Sequence, residues 1–92
     1  MDMLNETEIS TSLKRIPEWN HVGNEIIRIF ELDSFISAIT FVTRVAEAAE
    51  AANHHPDIDI RYRKVRIALT THDAGGLTAL DFDLATKIDQ AG

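Results

Sequence analysis

The apolar positions repeat first with the period of a helix, then of a strand pair, and this order recurs before a closing helix. Ile9, Leu13 and Ile16 follow Asn5 at helical spacing, and Glu8 stands three residues beyond Asn5 as in a capping box. Residues 5–16 are therefore predicted as a short amphipathic helix, ended by Pro17. Residues 19–22 and 25–32 flank Gly23 and Asn24, a turn pair, and the second arm carries the β-branched Ile26, Ile27 and Ile29. That pattern predicts a hairpin. From Asp33, a candidate N-cap, to Asn53 the spacing is helical again. One stripe runs through Phe35, Ile39, Val42, Ala46 and Ala49, a second through Phe41, Val45, Ala48 and Ala52, and Ser37, Thr40, Arg44 and Glu47 leave only a narrow polar face. Two stripes exceed what one sheet covers, so the Ala48 and Ala52 side is expected to receive another helix, from a second copy of the chain.

Ile58, Ile60 and Tyr62 alternate with Asp59 and Arg61, and Val65, Ile67 and Leu69 alternate with Arg66, Ala68 and Thr70. A period of two marks half-buried strands, and by that parity Tyr62 is a packing residue. The connection at Arg63 and Lys64 lacks the glycine or asparagine that tight hairpin turns favour. Gly75 and Gly76 permit a reversal after His72, Thr78 with Asp81 forms an acidic capping box, and Leu80, Leu84, Ala85 and Ile88 give the last helix. The order α-β-β-α-β-β-α predicts an α+β fold: a single domain over residues 1–92, with a four-stranded antiparallel sheet and helices packed on one face.

Ninety-two residues bury one core with a thin stability margin, for which oligomerisation is a common remedy. No apolar run approaches the length of a membrane span, the N-terminal residues lack a basic or apolar leader pattern, and there is no cysteine. A cytoplasmic protein without membrane contact is expected, with a nuclear location as well if the source is eukaryotic. A net charge of −6 argues against direct nucleic-acid binding by phosphate neutralisation. The local cluster Arg61, Arg63, Lys64 and Arg66 is read as a solvated strand face.

Candidate chemistry concentrates at Glu50, His54, His55 and Pro56. Pro56 biases His55 away from helical backbone, so the paired imidazoles fall where the long helix ends. Imidazole titrates nearest neutrality and can give and take protons in one cycle. His72 closes the last strand, and the two groups form one cluster if both ends lie at the same sheet edge. Bland readings stand beside these: a histidine at a helix end can serve only as a cap. Glu50 is either a solvated helix residue or, one turn before His54, its orienting partner. Trp19 is read as packing first and as a cleft residue second. A three-histidine metal site is disfavoured, because His54 and His55, adjacent in extended backbone, point apart.

Glu50, three residues, then His54-His55-Pro56, then Tyr62, Thr71-His72-Asp73, Gly76-Leu77-Thr78 and Asp81 resemble in order and spacing the pterin-4a-carbinolamine dehydratase family. Trp19, the strand holding Phe30, the helix around Arg44 and the closing helix around Asp83 and Leu84 extend the resemblance over nearly the whole chain. It implies a 4a-hydroxytetrahydrobiopterin dehydratase. Such an enzyme expels water from 4a-hydroxytetrahydropterin and returns quinonoid dihydropterin for tetrahydrobiopterin recycling. It implies no metal and no organic cofactor. His54, His55 and His72 are then the catalytic set, with His54 and His72 as acid and base in undecided order. Glu50, Pro56, Asp81 and Trp19 bind or orient the pterin. A homo-oligomer, dimer or tetramer, is expected through the helix at 33–53. The alternative implied function is a protein-interaction module that acts through that helix as a transcription-factor dimerisation cofactor.

Overall fold

The structure, a computed structural model, describes residues 2–92. Helix α1 (Glu6–Leu13) starts at Asn5, whose side chain accepts from the Glu8 N–H while Glu8 returns the bond, so the capping box forms as predicted. It ends before residue 16, because the N–H groups of Lys14, Arg15 and Ile16 bond carbonyls only three residues back. Strands β1 (Asn20–Val22) and β2 (Glu25–Glu31) meet at a turn in which Gly23 has φ +60°. Helix α2 (Phe35–Ala52) is capped by Ser34 rather than Asp33, with the Ser34 hydroxyl accepting from the Ser37 N–H at 3.0 Å. Strands β3 (Asp57–Arg61) and β4 (Lys64–Leu69), a 3₁₀ turn (His72–Ala74) and helix α3 (Ala79–Ala91) complete the chain.

The α+β expectation is met by a four-stranded antiparallel sheet in the order β1-β2-β4-β3. Opposed residues share a face, so the pairs Ile26 with Leu69, Arg28 with Ile67 and Phe30 with Val65 look toward the helices. Ile29 with Arg66 and Glu31 with Lys64 lie on the opposite, open face. Buried Ile26, Val65, Ile67 and Leu69 pack with Phe41 and Val45 of α2 and with Phe82, Leu84 and Ile88 of α3 in one hydrophobic core. No helix of the described residues is long and apolar enough to cross a membrane.

Two sequence expectations need correction. On α2 the buried residues are Ala38, Phe41, Val45 and Ala49, and Ala48 and Ala52 pack against the same core. The stripe expected to meet a second chain is thus taken by the chain's own core. What stays open is the N-terminal part of the other stripe, Phe35 and Ile39 at 47% and 39% exposed, together with Ile36 at 72%, while its Val42 and Ala49 join the core. Tyr62, expected to pack, is 70% exposed, because β3 stops at Arg61 and Tyr62 enters the turn with φ 56°. Parity holds only while the strand lasts.

Trp19 is buried, and its indole N–H donates to Asp89 Oδ1 at 2.8 Å. Arg28 Nη1 donates to the same oxygen at 2.8 Å, and its guanidinium lies 4.2 Å from the Phe30 ring centre. This network ties α3 to β2 and to the segment before β1. We expect Asp89→Ala to lower unfolding free energy by about 1–3 kcal/mol, since it strips an indole and a guanidinium of their shared acceptor. Urea titration followed by Trp19 fluorescence measures it, and an unchanged midpoint would show that the network carries no stability.

Candidate active site

Three chain ends converge to make the site. The first is the end of α2, where Asn53 adopts the left-handed conformation, φ 49° and ψ 44°, and its N–H bonds back to Ala49 and Glu50 carbonyls. Asparagine tolerates that conformation better than most residues with a Cβ, so it ends the helix as a glycine would. The His54 N–H then bonds the Ala49 carbonyl at 3.1 Å, and Pro56 and β3 follow. The second is the exit of β4, where Thr71 and Gly76 form an isolated antiparallel bridge around the turn carrying His72. The third is the start of α3, where Thr78 and Asp81 form the predicted capping box.

Asp81 joins the three. Its side chain is fully buried, and Oδ2 accepts from the Thr78 N–H at 2.9 Å and from the Thr71 hydroxyl at 2.8 Å. Oδ1 lies 2.6 Å from His54 Nε2, on a side chain only 10% exposed. A carboxylate has no hydrogen to give, so Nε2 carries the hydrogen and the neutral ring keeps its lone pair on Nδ1. Among the described residues no buried side-chain nitrogen or oxygen lacks a partner. The predicted capping carboxylate is therefore also the partner of an imidazole.

Of the two readings of Glu50, the solvated one holds and the pairing with His54 does not: Glu50 lies 2.5 Å from His55 Nε2, with the His55 and Glu50 side chains 59% and 76% exposed. The cause is Asn53: its left-handed turn breaks the helical register, so His54 swings toward α3 and His55 takes the place beside Glu50. A contact this exposed contributes little to stability, about 0–1 kcal/mol. Among the described residues no three histidine or acidic side chains converge as metal ligands.

His54, His55 and His72, with Asn53, Thr70, Thr71 and Asp73, line a cleft of about 240 Å³. A neighbouring depression of about 420 Å³ shares Thr70 and His72 and adds Asn24, Glu25 and Gly75. Both histidine groups therefore do meet at one sheet edge. Pro56 is half-buried beside them, whereas Trp19 is not in the cluster: its partner Asp89 lies eight residues along α3 from Asp81, roughly 12 Å of helix rise. Thr71 is the residue that sequence reading passed over. Its place immediately before His72, with Thr78 and Asp81 close behind, was the available signal.

A family model described as pterin 4 alpha carbinolamine dehydratase matches residues 2–91. A Chloroflexus aurantiacus protein, named provisionally as a pterin-4-alpha-carbinolamine dehydratase, is 60% identical over 90 residues, 98% of this chain and 97% of its own. A Roseiflexus relative named likewise is 61% identical over 87 residues, 95% of this chain and 94% of its own. The crystal structure of a transcriptional coactivator/pterin dehydratase from Brucella melitensis superposes with a TM-score of 0.94 at 32% identity, covering 98% of both chains. The fold also matches a pterin dehydratase-like RuBisCO assembly factor of the alpha-carboxysome, with a TM-score of 0.69 at 21% identity over 80% of this chain and 88% of that one.

The hydrogen bonds at Asp81 predict what an amide does there. In Asp81→Asn the amide oxygen must face the two donors Thr71 and Thr78, which turns its NH₂ toward His54 and makes Nε2 an acceptor. The ring hydrogen then moves to Nδ1. Nitrogen-15 NMR of the imidazoles is expected to show Nε2–H in the parent protein and Nδ1–H in the variant. The same tautomer in both would contradict the geometry.

Proposed function

The chain belongs to the pterin 4 alpha carbinolamine dehydratase family, and from that premise we propose that its histidine cleft dehydrates 4a-hydroxytetrahydrobiopterin or a close pterin relative by acid/base catalysis. Loss of water breaks the C4a–O bond, and the electron pair goes to oxygen. The electron pair at N5 forms the C4a=N5 bond as N5 gives up its proton. One proton is delivered and one removed, so two positioned proton carriers suffice.

The observation that carries this reading is the 2.6 Å contact between buried Asp81 and His54 Nε2. It leaves Nδ1 as the basic nitrogen of His54, and Asp81 steadies the imidazolium formed when that nitrogen takes the N5 proton. His72, exposed on its 3₁₀ turn across the cleft, delivers the proton to the departing hydroxyl. His55, paired with Glu50, orients the pterin at the rim, and Pro56 biases the His55 backbone toward the extended conformation. A separate depression on the open sheet face, about 390 Å³ and lined by Ile29, Asp59, Arg61, Lys64 and Arg66, offers no histidine and does not suit this reaction. In this role the protein returns quinonoid dihydropterin to tetrahydrobiopterin recycling.

The open α2 stripe supports a second element of the proposal, a homo-oligomer, dimer or tetramer. Exposed Phe35, Ile36 and Ile39 supply the apolar surface for it. A relative from Brucella is named as a transcriptional coactivator, which supports a protein partner as well, and the same exposed residues offer apolar surface for one.

Two experiments test these readings. Purified protein given 4a-hydroxytetrahydropterin is expected to accelerate its dehydration, followed by absorbance. His54→Ala and His72→Ala should each lower kcat by ~10²-fold or more, with His55→Ala acting mainly on KM. Full turnover in either alanine variant removes that residue from the mechanism. Ile36→Arg should yield folded protomers in sedimentation, because an unpaired charge is costly at a desolvated interface. A parent protein that is monomeric at micromolar concentration defeats the assembly proposal.

A further inference from the structure

Thr71 occupies a position from which both imidazoles can be held. Its backbone builds the His72 turn: its N–H bonds the Gly76 carbonyl at 3.2 Å, and its carbonyl accepts from Ala74 and Gly75, each at 3.1 Å. Its side chain does something else. Thr71 stands at the N-cap of that turn, where a threonine hydroxyl ordinarily accepts from its own turn, yet it makes no such bond. The hydroxyl turns instead to Asp81 Oδ2 at 2.8 Å, on a residue only 8% exposed.

The direction of every hydrogen in this buried group follows from counting donors. Thr71 has one hydroxyl hydrogen and gives it to Asp81, so in its 2.9 Å contact with Thr78 the Thr78 hydroxyl must donate. Thr78 Oγ1 in turn accepts from the Leu80 N–H at 3.3 Å. The series Leu80 N–H, Thr78 O–H, Thr71 O–H therefore points one way, toward the carboxylate that holds His54. Such a series polarises each successive bond. Removing the Thr71 hydrogen leaves Oδ2 with one donor and frees the carboxylate to rotate about its side-chain torsion, and His54 rotates with it.

We propose that Thr71 is a positioning residue of the reaction: its hydroxyl fixes Asp81 and through it the orientation and tautomer of His54, while its backbone sets His72. This deepens the dehydratase reading and rests on it for activity, but not for the state of the imidazole. The matched variants are Thr71→Val, nearly the same shape without the donor, and Thr71→Ser, which keeps it. Thr71→Val is expected to lower kcat ~10–100-fold with KM little changed, the range found when a partner behind a functional group is removed. Its His54 nitrogen-15 signals should shift from a pure Nε2–H pattern to mixed tautomers. Thr71→Ser should restore both. If Thr71→Val does not fold, Thr71→Ala carries the same comparison against serine.

The NMR result stands whether or not the protein dehydrates a pterin, so the two ideas fail separately. A parent protein without dehydratase activity sinks the functional reading, and the tautomer comparison still decides the role of Thr71. An unchanged His54 spectrum in Thr71→Val overturns the proposal. So does a serine variant as impaired as valine, which would show that packing of the threonine methyl, not the hydroxyl, is what matters.

Discussion

A carboxylate taken wholly out of water must be surrounded by donors, and the architecture around Asp81 answers that demand. Desolvating an ion costs several kcal/mol, which is recovered only when hydrogen bonds replace the lost water. Asp81 finds its donors on three separate parts of the chain: the Thr78 N–H at the start of α3, the Thr71 hydroxyl beside the His72 turn, and His54 beyond the end of α2. The positive end of the α3 dipole adds to their effect. Folding the carboxylate into place therefore assembles the site, because satisfying it requires the same groups that carry both imidazoles. A helix cap and the partner of an imidazole are here one residue with its two oxygens divided between the tasks.

The rest of the molecule fixes the distances across which this happens. Strand β4 lies inside the sheet, paired on both sides, so the turn at its end starts from a rigid base. The Thr70 hydroxyl donates to the Asn24 carbonyl at 2.6 Å, which anchors the β1–β2 turn to the same strand end and joins the two depressions around His72. At the other end of α3, Asp89 binds Trp19 and Arg28, so the helix is pinned near both termini by carboxylates with different duties. Leu77 and Leu4 add a bond between the N-terminal segment and the approach to α3, with the Leu4 N–H 2.8 Å from the Leu77 carbonyl.

Much of this was legible in the chain because it depends on local rules. Period 3.6 marked the three helices, period two marked β3 and β4, a turn pair with β-branched residues marked the first hairpin, and the two capping boxes at Asn5 and Thr78 formed where spacing put them. What escaped were choices between locally equivalent options. Asp33 and Ser34 are both good N-caps, and backbone conformation selected the serine. The apolar residues of α2 reach around most of the helix, so hydrophobicity alone had no means of saying which of them the core would take. Glu50 sits one helical turn before His54, but a left-handed Asn53 intervenes and gives His54 a partner 27 residues away in sequence. Spacing predicts neighbours within an element. It is silent on contacts made after the chain reverses, which is why Asp81 was seen first as a cap and Thr71 hardly at all.

Whether Asp81 acts through His54 is measured most directly by a double-mutant cycle on kcat/KM for 4a-hydroxytetrahydropterin. If the carboxylate serves only to set the imidazole, adding Asp81→Asn to His54→Ala should cost almost nothing beyond the histidine change alone, giving strong non-additivity. Losses that multiply as independent effects would contradict it, and would mean that the buried carboxylate and the imidazole do not work as a unit.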